Sequence, residues 1–281
     1  MVARMNSIEL AHGTVRYRDE GEGRPIVFLH GILVNGLLWR RVTPQLDGFR
    51  RIVPDWPLGS HEVPMSPKAD LTPPGVARIV ADFLEALDLE DVVLVANDTG
   101  GAIAQLVVTS HPDRVGALVL TPCDAFENFL PPMFKGLQVA ARVPGALSAF
   151  IAPLRVRAAR RLPLAFGWLR KKPIEDEVSD AYLQPFYDHA GVRRDLRKLL
   201  AGISKRYTVD AAARLPEFGK PALVVWARED KVFPVEHARR LGELLGAKVV
   251  ELDDSYSFVP EDQPDRLAAL IDEFARVPAA A

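Results

Sequence analysis

The run Val92-Val93-Leu94-Val95-Ala96 is wholly apolar and β-branched at three of its five positions. Such a run, without alternation, fits a strand buried on both faces of a sheet. Asn97, Asp98 and Thr99 interrupt it. The small residues Gly100, Gly101 and Ala102 then lead into a helical pattern through Gln105, Leu106 and Val108 to His111. Strand, sharp turn and helix, with a polar side chain at the apex, is the context of a nucleophile elbow. Glycines at 100 and 101 leave no Cβ between helix and strand. The usual pattern is G-x-S-x-G. Here the slots read Ala96-Asn97-Asp98-Thr99-Gly100, so a carboxylate stands where the nucleophile belongs. The competing reading makes Asp98 a helix N-cap, a position aspartate favours.

The rest of the chain alternates around that elbow. Residues 8–10, 14–18, 25–29, 51–55, 117–120, 222–226 and 248–252 have strand character. Helical spacing marks 75–87, 235–245 and 264–274, and a shorter pattern covers 37–46. Residues 56–74 are rich in proline and polar side chains and read as a long loop. Alternation stops from 124 to 215, where seven prolines from Pro131 to Pro185 divide the chain into short helical pieces. The expected organisation is a core, residues 1–123 and 216–281, with a helical cap, residues 124–215, inserted between two strands. Strands alternating with helices imply an α/β fold: a mostly parallel sheet with helices on both faces.

The 281 residues are 48% hydrophobic and carry a formal net charge of −2, which argues against nucleic acid as a partner. A single cysteine, Cys123, excludes an internal disulfide and a cysteine-based zinc cluster. No metal and no cofactor is expected. Residues 1–10 lack the apolar core of a secretory signal, and Met5 is an alternative start. No apolar run reaches the ~20 residues of a membrane span. A soluble cytoplasmic protein is the default expectation, with a small hydrophobic molecule as partner; a homodimer is left open. The basic cap residues Arg155, Arg157, Arg160, Arg161, Arg170, Lys171 and Lys172 alternate with Leu162, Leu164, Phe166, Trp168 and Leu169. That pattern fits a solvated cap face, or one that attracts an anionic substrate or a membrane surface.

Four pieces in order, Phe28-Leu29-His30-Gly31, Asn97-Asp98-Thr99-Gly100-Gly101, Trp226-Ala227-Arg228-Glu229-Asp230 and Phe258-Val259-Pro260-Glu261-Asp262, resemble the α/β-hydrolase superfamily. Aspartate in the elbow slot is similar to the haloalkane dehalogenase and epoxide hydrolase branch. The resemblance implies an α/β-hydrolase fold and a cofactor-independent hydrolase. Asp98 is then a nucleophile that forms an alkyl-enzyme ester with an epoxide, an alkyl halide or a related substrate. The resemblance makes Asp230 the acid of the triad, with Asp124 as a weaker alternative. It assigns the oxyanion hole to the amides of Ile32 and Thr99. His30, Asn97 in the elbow, Asp124 after the next strand, and Tyr182 and Tyr187 in the cap are candidate substrate contacts. Tyrosines that pack against the core are the commoner case, and His30 can instead hold its loop by hydrogen bonds.

The resemblance breaks at the base. Its histidine slot holds Ser257, and no histidine follows His237, which reads as a surface residue of its helix. A serine hydroxyl has no basic lone pair near neutral pH and cannot activate water as imidazole does. Four readings stay open. Ser257 could replace a histidine so that an intermediate is trapped. His61 or His189 could supply the base. Asp98 could act as general acid or base in a non-hydrolytic reaction. Or the protein could be a catalytically degenerate ligand binder. The dehalogenase tryptophan expected after the nucleophile is Thr99 here, and the aromatic-proline pair that epoxide hydrolases carry after His-Gly is Ile32-Leu33.

Overall fold

The computed structural model describes residues 5–277. The alternative start at Met5 opens the described chain; the remaining residues of the N-terminal expectation, 1–4, and the alanine-rich end, 278–281, lie outside it. Eight strands form one sheet: β1 (Met5–Leu10), β2 (Gly13–Glu20), β3 (Arg24–Leu29), β4 (Phe49–Pro54), β5 (Val92–Asp98), β6 (Val115–Cys123), β7 (Ala222–Ala227) and β8 (Lys248–Leu252). Their order is β1-β2-β4-β3-β5-β6-β7-β8. The pairs β1/β2 and β2/β4 are antiparallel, and every later pair is parallel. The elbow strand β5 lies between β3 and β6, and all seven of its residues are buried.

The helices are α1 (Pro73–Ala86), α2 (Thr99–Ser110), α3 (Lys135–Ala141), α4 (Ala146–Ile151), α5 (Asp176–Asp188), α6 (Ala190–Gly202), α7 (Lys205–Arg214), α8 (Val235–Leu245), α9 (Val259–Asp262) and α10 (Pro264–Ala275). Residues 37–46 do not make the single helix their spacing suggests. Asn35 caps one short 3-10 turn, Gly36–Trp39, and Pro44 sits inside a second, Thr43–Gln45. Proline has no N–H to continue the first turn's ladder. Helix α2 is buried on nearly every side, because α1 and α7 pack against it as well as β5 and β6. This explains its lack of a polar stripe. Gly101 gives it that close approach: a Cβ there would lie 2.3 Å from the Cβ of Cys123 on β6.

Residues 124–215, called the cap below, leave after β6 and return at β7. Three buried carboxylates tie this segment to the rest. Glu261 of α9 accepts two hydrogen bonds from the Arg40 guanidinium and one, at 3.2 Å, from the Tyr182 hydroxyl of α5. Asp262 accepts from the backbone amides of Lys171, Lys172 and Tyr256 at 2.8–2.9 Å. Asp195 of α6 accepts from the Met65 amide at 2.8 Å and faces His61 Nε2 at 3.3 Å. At the far end of the segment, α7 lies against α2. No described helix is long and apolar enough to cross a membrane.

Overpacking a tight helix–strand contact costs about 1–3 kcal/mol. Gly101→Ala should lose that much stability in urea unfolding, because both the Cβ and the sulfur of Cys123 stand in the way. A variant as stable as the parent would mean that α2 can slide away from β6.

Candidate active site

Strand β5 ends at Asp98 and α2 begins at the next residue, so the reversal falls on Asp98 itself. Its backbone takes φ 56° and ψ −135°, which L-residues rarely adopt. Such strain costs of order 1–3 kcal/mol and persists only where the surroundings enforce it. Leu33, in the loop after β3, also has a positive φ of 57°. Gly31 in that loop makes room for the carboxylate: a Cβ there would lie 2.5 Å from Asp98 Cγ.

Asp98 and Thr99 lie at a cavity of about 260 Å³, whose other lining residues are aliphatic, aromatic or proline. Ile32 and Leu33 line it from the core. Leu130, Phe134, Leu137, Phe150, Leu154 and Phe166 are among those that line it from the cap. Asp98 is 9% exposed and is the only titratable group among the lining residues. Its Oδ1 accepts the Thr99 N–H at 2.5 Å. The Thr99 hydroxyl lies 3.2 Å from the same oxygen and 2.9 Å from Asp124 Oδ2. Burial raises the Asp98 pKa to about 6, against the two bonds from Thr99, which lower it. Asp124 is pushed up further, first by burial and then by the charge on Asp98. One hydroxyl proton cannot serve two carboxylates. With Asp124 protonated, Asp124 donates to Thr99 Oγ1 and Thr99 donates to Asp98, a chain in which every proton has an acceptor.

Asp230 follows β7, and its Oδ1 accepts from the Ser257 hydroxyl at 2.8 Å and the amides of Val232 and Phe233 at 2.7 and 2.9 Å. Its Oδ2 is buried with no partner among the described residues. Burial raises its pKa to about 7; the amides of Phe233 and Val232 and the Ser257 hydroxyl oppose this, and the charge on Asp98 adds to it. The structure therefore joins Ser257 to Asp230 as the resemblance would join a histidine, but neither lines the cavity. Thr99 and Ile32, expected to present their amides, do line it. The Thr99 amide is engaged by Asp98, and the Ile32 amide makes no hydrogen bond with a described residue.

The five residues expected to touch substrate all stand outside the lining. His30 is fully buried; its Nε2 accepts the Trp56 N–H at 2.8 Å, so Nδ1 carries the proton given to Gly31 O at 2.9 Å. Burial lowers its pKa to about 4, which keeps it neutral. Asn97 ties the elbow to its surroundings through Nδ2, which reaches Thr121 Oγ1 and Ser257 O, both at 2.8 Å. Asp124 lies behind Thr99. Tyr182 is buried against Glu261, and Tyr187 donates to Ile151 O at 3.2 Å with Arg155 over its ring. None of the six histidines lines the cavity, all of them lying among the described residues. His61 is buried beside Asp195, His189 is exposed at the start of α6, and His237 is half-buried against Phe126 rather than on the surface. No group of three or more metal-binding side chains occurs among the described residues.

A family model described as alpha/beta hydrolase fold matches residues 24–264. The cis-3-alkyl-4-alkyloxetan-2-one decarboxylase of Shewanella oneidensis is 27% identical over 273 residues, 92% of this chain and 84% of that protein. Haloalkane dehalogenase 2 of Mycobacterium tuberculosis is 28% identical over 275 residues, 94% of this chain and 92% of that protein. Among solved structures, an alpha/beta hydrolase fold protein from Burkholderia ambifaria superposes with a TM-score of 0.82 at 23% identity. That match covers 96% of this chain and 99% of the other and speaks to the fold.

A carboxyl group with a raised folded pKa binds its proton more readily in the native than in the unfolded state. Its stability contribution therefore falls as pH climbs from the unfolded value of 3.8 through the folded value of about 6. Asp98→Asn, which removes the buried charge, should stabilise the fold by roughly 1–3 kcal/mol near pH 8 and by almost nothing near pH 4. Urea unfolding at the two pH values reads the difference. A gain that does not depend on pH would show that burial of the charge is not its source.

Proposed function

The chain belongs to the α/β-hydrolase fold family, and we propose that within it Asp98 is a carboxylate nucleophile. It forms an ester with a small hydrophobic electrophile held between the core, residues 1–123 and 216–281, and the cap, residues 124–215. The observation that carries this is Asp98 itself: a strained elbow aspartate, the sole ionisable group in an apolar cavity. The matched dehalogenase and decarboxylase support an enzyme acting on small molecules. A carboxylate needs no base to make it nucleophilic, and a poorly solvated one gives up few hydrogen bonds on attack. In this reading the Ile32 amide, which makes no hydrogen bond with a described residue, receives negative charge, with the Thr99 amide once Asp98 is esterified.

No imidazole reaches the cavity, so the ester with an epoxide or alkyl halide should outlive its formation. Substrates that release the enzyme without activated water escape that limit. An oxetan-2-one is one. Asp98 attacks the saturated ring carbon that bears the ring oxygen, and its C–O bond breaks to leave a free carboxylate. That carboxylate leaves as CO2, its C–C electron pair becomes the alkene, and the bond to Asp98 breaks. The carboxylate is regenerated with no water or proton consumed. The name of the matched Shewanella protein favours testing this class.

Intact-protein mass spectrometry after exposure to an epoxide, an alkyl halide and a cis-3,4-dialkyl-oxetan-2-one is the test. A persistent adduct mapped to Asp98 is expected with the first two, and alkene with the third. Ser257→His should shorten the life of the adduct. Adduct formation requires the ionised form, so its rate should be half-maximal near the Asp98 pKa of about 6. One pH unit below that midpoint it should be about one-tenth of its maximum. The raised pKa favours a second reading, proton transfer by Asp98 without an ester; product that forms with no adduct at the earliest times would support it. Neither adduct nor product, with Asp98→Asn binding an apolar probe as well as the parent, would support a ligand-binding protein.

A further inference from the structure

Residues 128–174 contain no aspartate or glutamate and nine of the chain's 35 lysines and arginines; all 37 acidic residues lie outside this stretch. Some of the cations are neutralised from elsewhere. Arg157 and Arg160 pair with Asp180, and Lys171 pairs with Glu229. Lys135, Arg142, Arg155 and Arg161 are exposed and form no ion pair with a described carboxylate. The same stretch holds seven of the nine large hydrophobic side chains that the described residues expose. Among them Phe150 (46% exposed), Leu162 (57%) and Leu164 (61%) also line the active-site cavity, so they form its mouth. Val156 (62%) and Trp168 (39%) flank them in sequence.

We propose that this face of the cap docks on an anionic lipid bilayer, with the cavity mouth turned toward the acyl chains. Three features select that occupant. Four exposed cations without an ion-pair partner among the described carboxylates, in a stretch of sequence that has none of its own, are attracted to a negative surface. Exposed leucines and phenylalanine beside them gain by entering the headgroup–acyl boundary, whereas a nucleic acid would use the cations alone. The apolar cavity opens among those same side chains, so a hydrophobic molecule could pass from lipid to Asp98 without crossing water. Docking does not depend on what Asp98 does to that molecule, so it stands or fails separately from the chemistry above.

The test is co-sedimentation of the full chain with vesicles of phosphatidylcholine alone and with vesicles in which about one-third is phosphatidylglycerol. Binding to the anionic vesicles is expected, with little to the neutral ones, and it should weaken as salt is raised. A near-surface cation contributes roughly fivefold to such binding, so Arg155→Gln with Arg161→Gln should bind about 25-fold more weakly. Leu162→Ser with Leu164→Ser should also weaken binding to the anionic vesicles. Arg266→Gln, an exposed cation on α10 far in sequence from this stretch, should bind like the parent. All five positions are exposed, and an unchanged melting temperature confirms that the fold is intact. Equal binding by the cap variants and the parent overturns the proposal. So does a dimer in sedimentation velocity that Leu162→Ser with Leu164→Ser dissociates, since a second copy would then cover the face.

Discussion

A carboxylate costs free energy wherever water is excluded, and this molecule puts one at an apolar cavity. Around Asp98 the chain supplies little compensation: one amide, one hydroxyl, and a neighbouring carboxyl group that is itself pushed toward its neutral form. The φ/ψ strain at the same residue adds to the cost. The sheet and helix α2 must therefore hold the elbow by packing, helped by the hydrogen bonds of Asn97. They do so with a strand buried along its whole length and a helix buried on almost all sides. The residues that surround Asp98 follow from this. Gly31 is small because the carboxylate fills the space, and Gly101 is small because α2 must lie against Cys123.

The fold was legible because its signals are local and repeated. Five apolar residues followed by a polar apex and two glycines can do few other things, and helix α8 and strand β8 have the bounds that their periodicity suggests. The candidate site residues could be picked out only where a motif carried them, and of those named next only Asp98 and Thr99 line the cavity. Asp98, Thr99, Asp230 and Ser257 stand at fixed steps from strand ends, so counting along the chain finds them. The cavity wall has no such ruler. Phe134, Leu137, Phe150 and Leu154 come from short pieces of cap whose spacing obeys no period, and only tertiary packing brings them together. Titratable side chains misled for a related reason. His61 and Tyr182 look chemical in a sequence, yet each is consumed by a buried partner, Asp195 or Glu261, that lies 134 or 79 residues away.

Ser257 and Asp230 form a small hydrogen-bonded frame beside the elbow. The serine hydroxyl occupies one acid oxygen and two backbone amides share it, while the other oxygen stays buried with no partner among the described residues. Asn97 still fastens the backbone of that loop to the elbow. The Asn97 side chain grips the main-chain carbonyl of 257, a contact that does not depend on which side chain stands at that position.

The Glu261 and Asp262 contacts give the cap a mechanical asymmetry. Backbone at 171 and 172 is stitched to the helix that follows Ser257, and Leu169 O receives the Phe258 amide at 2.6 Å. Among the described residues, the stretch that carries Phe150, Leu162 and Leu164 makes its hydrogen bonds within the cap and none to the core. Asp195 and helix α7 fasten the later part of the segment, so the margin around residues 150–164 is its least fastened part. A force applied at that margin passes to the fastenings beside it, one of which lies a short distance along the chain from Ser257.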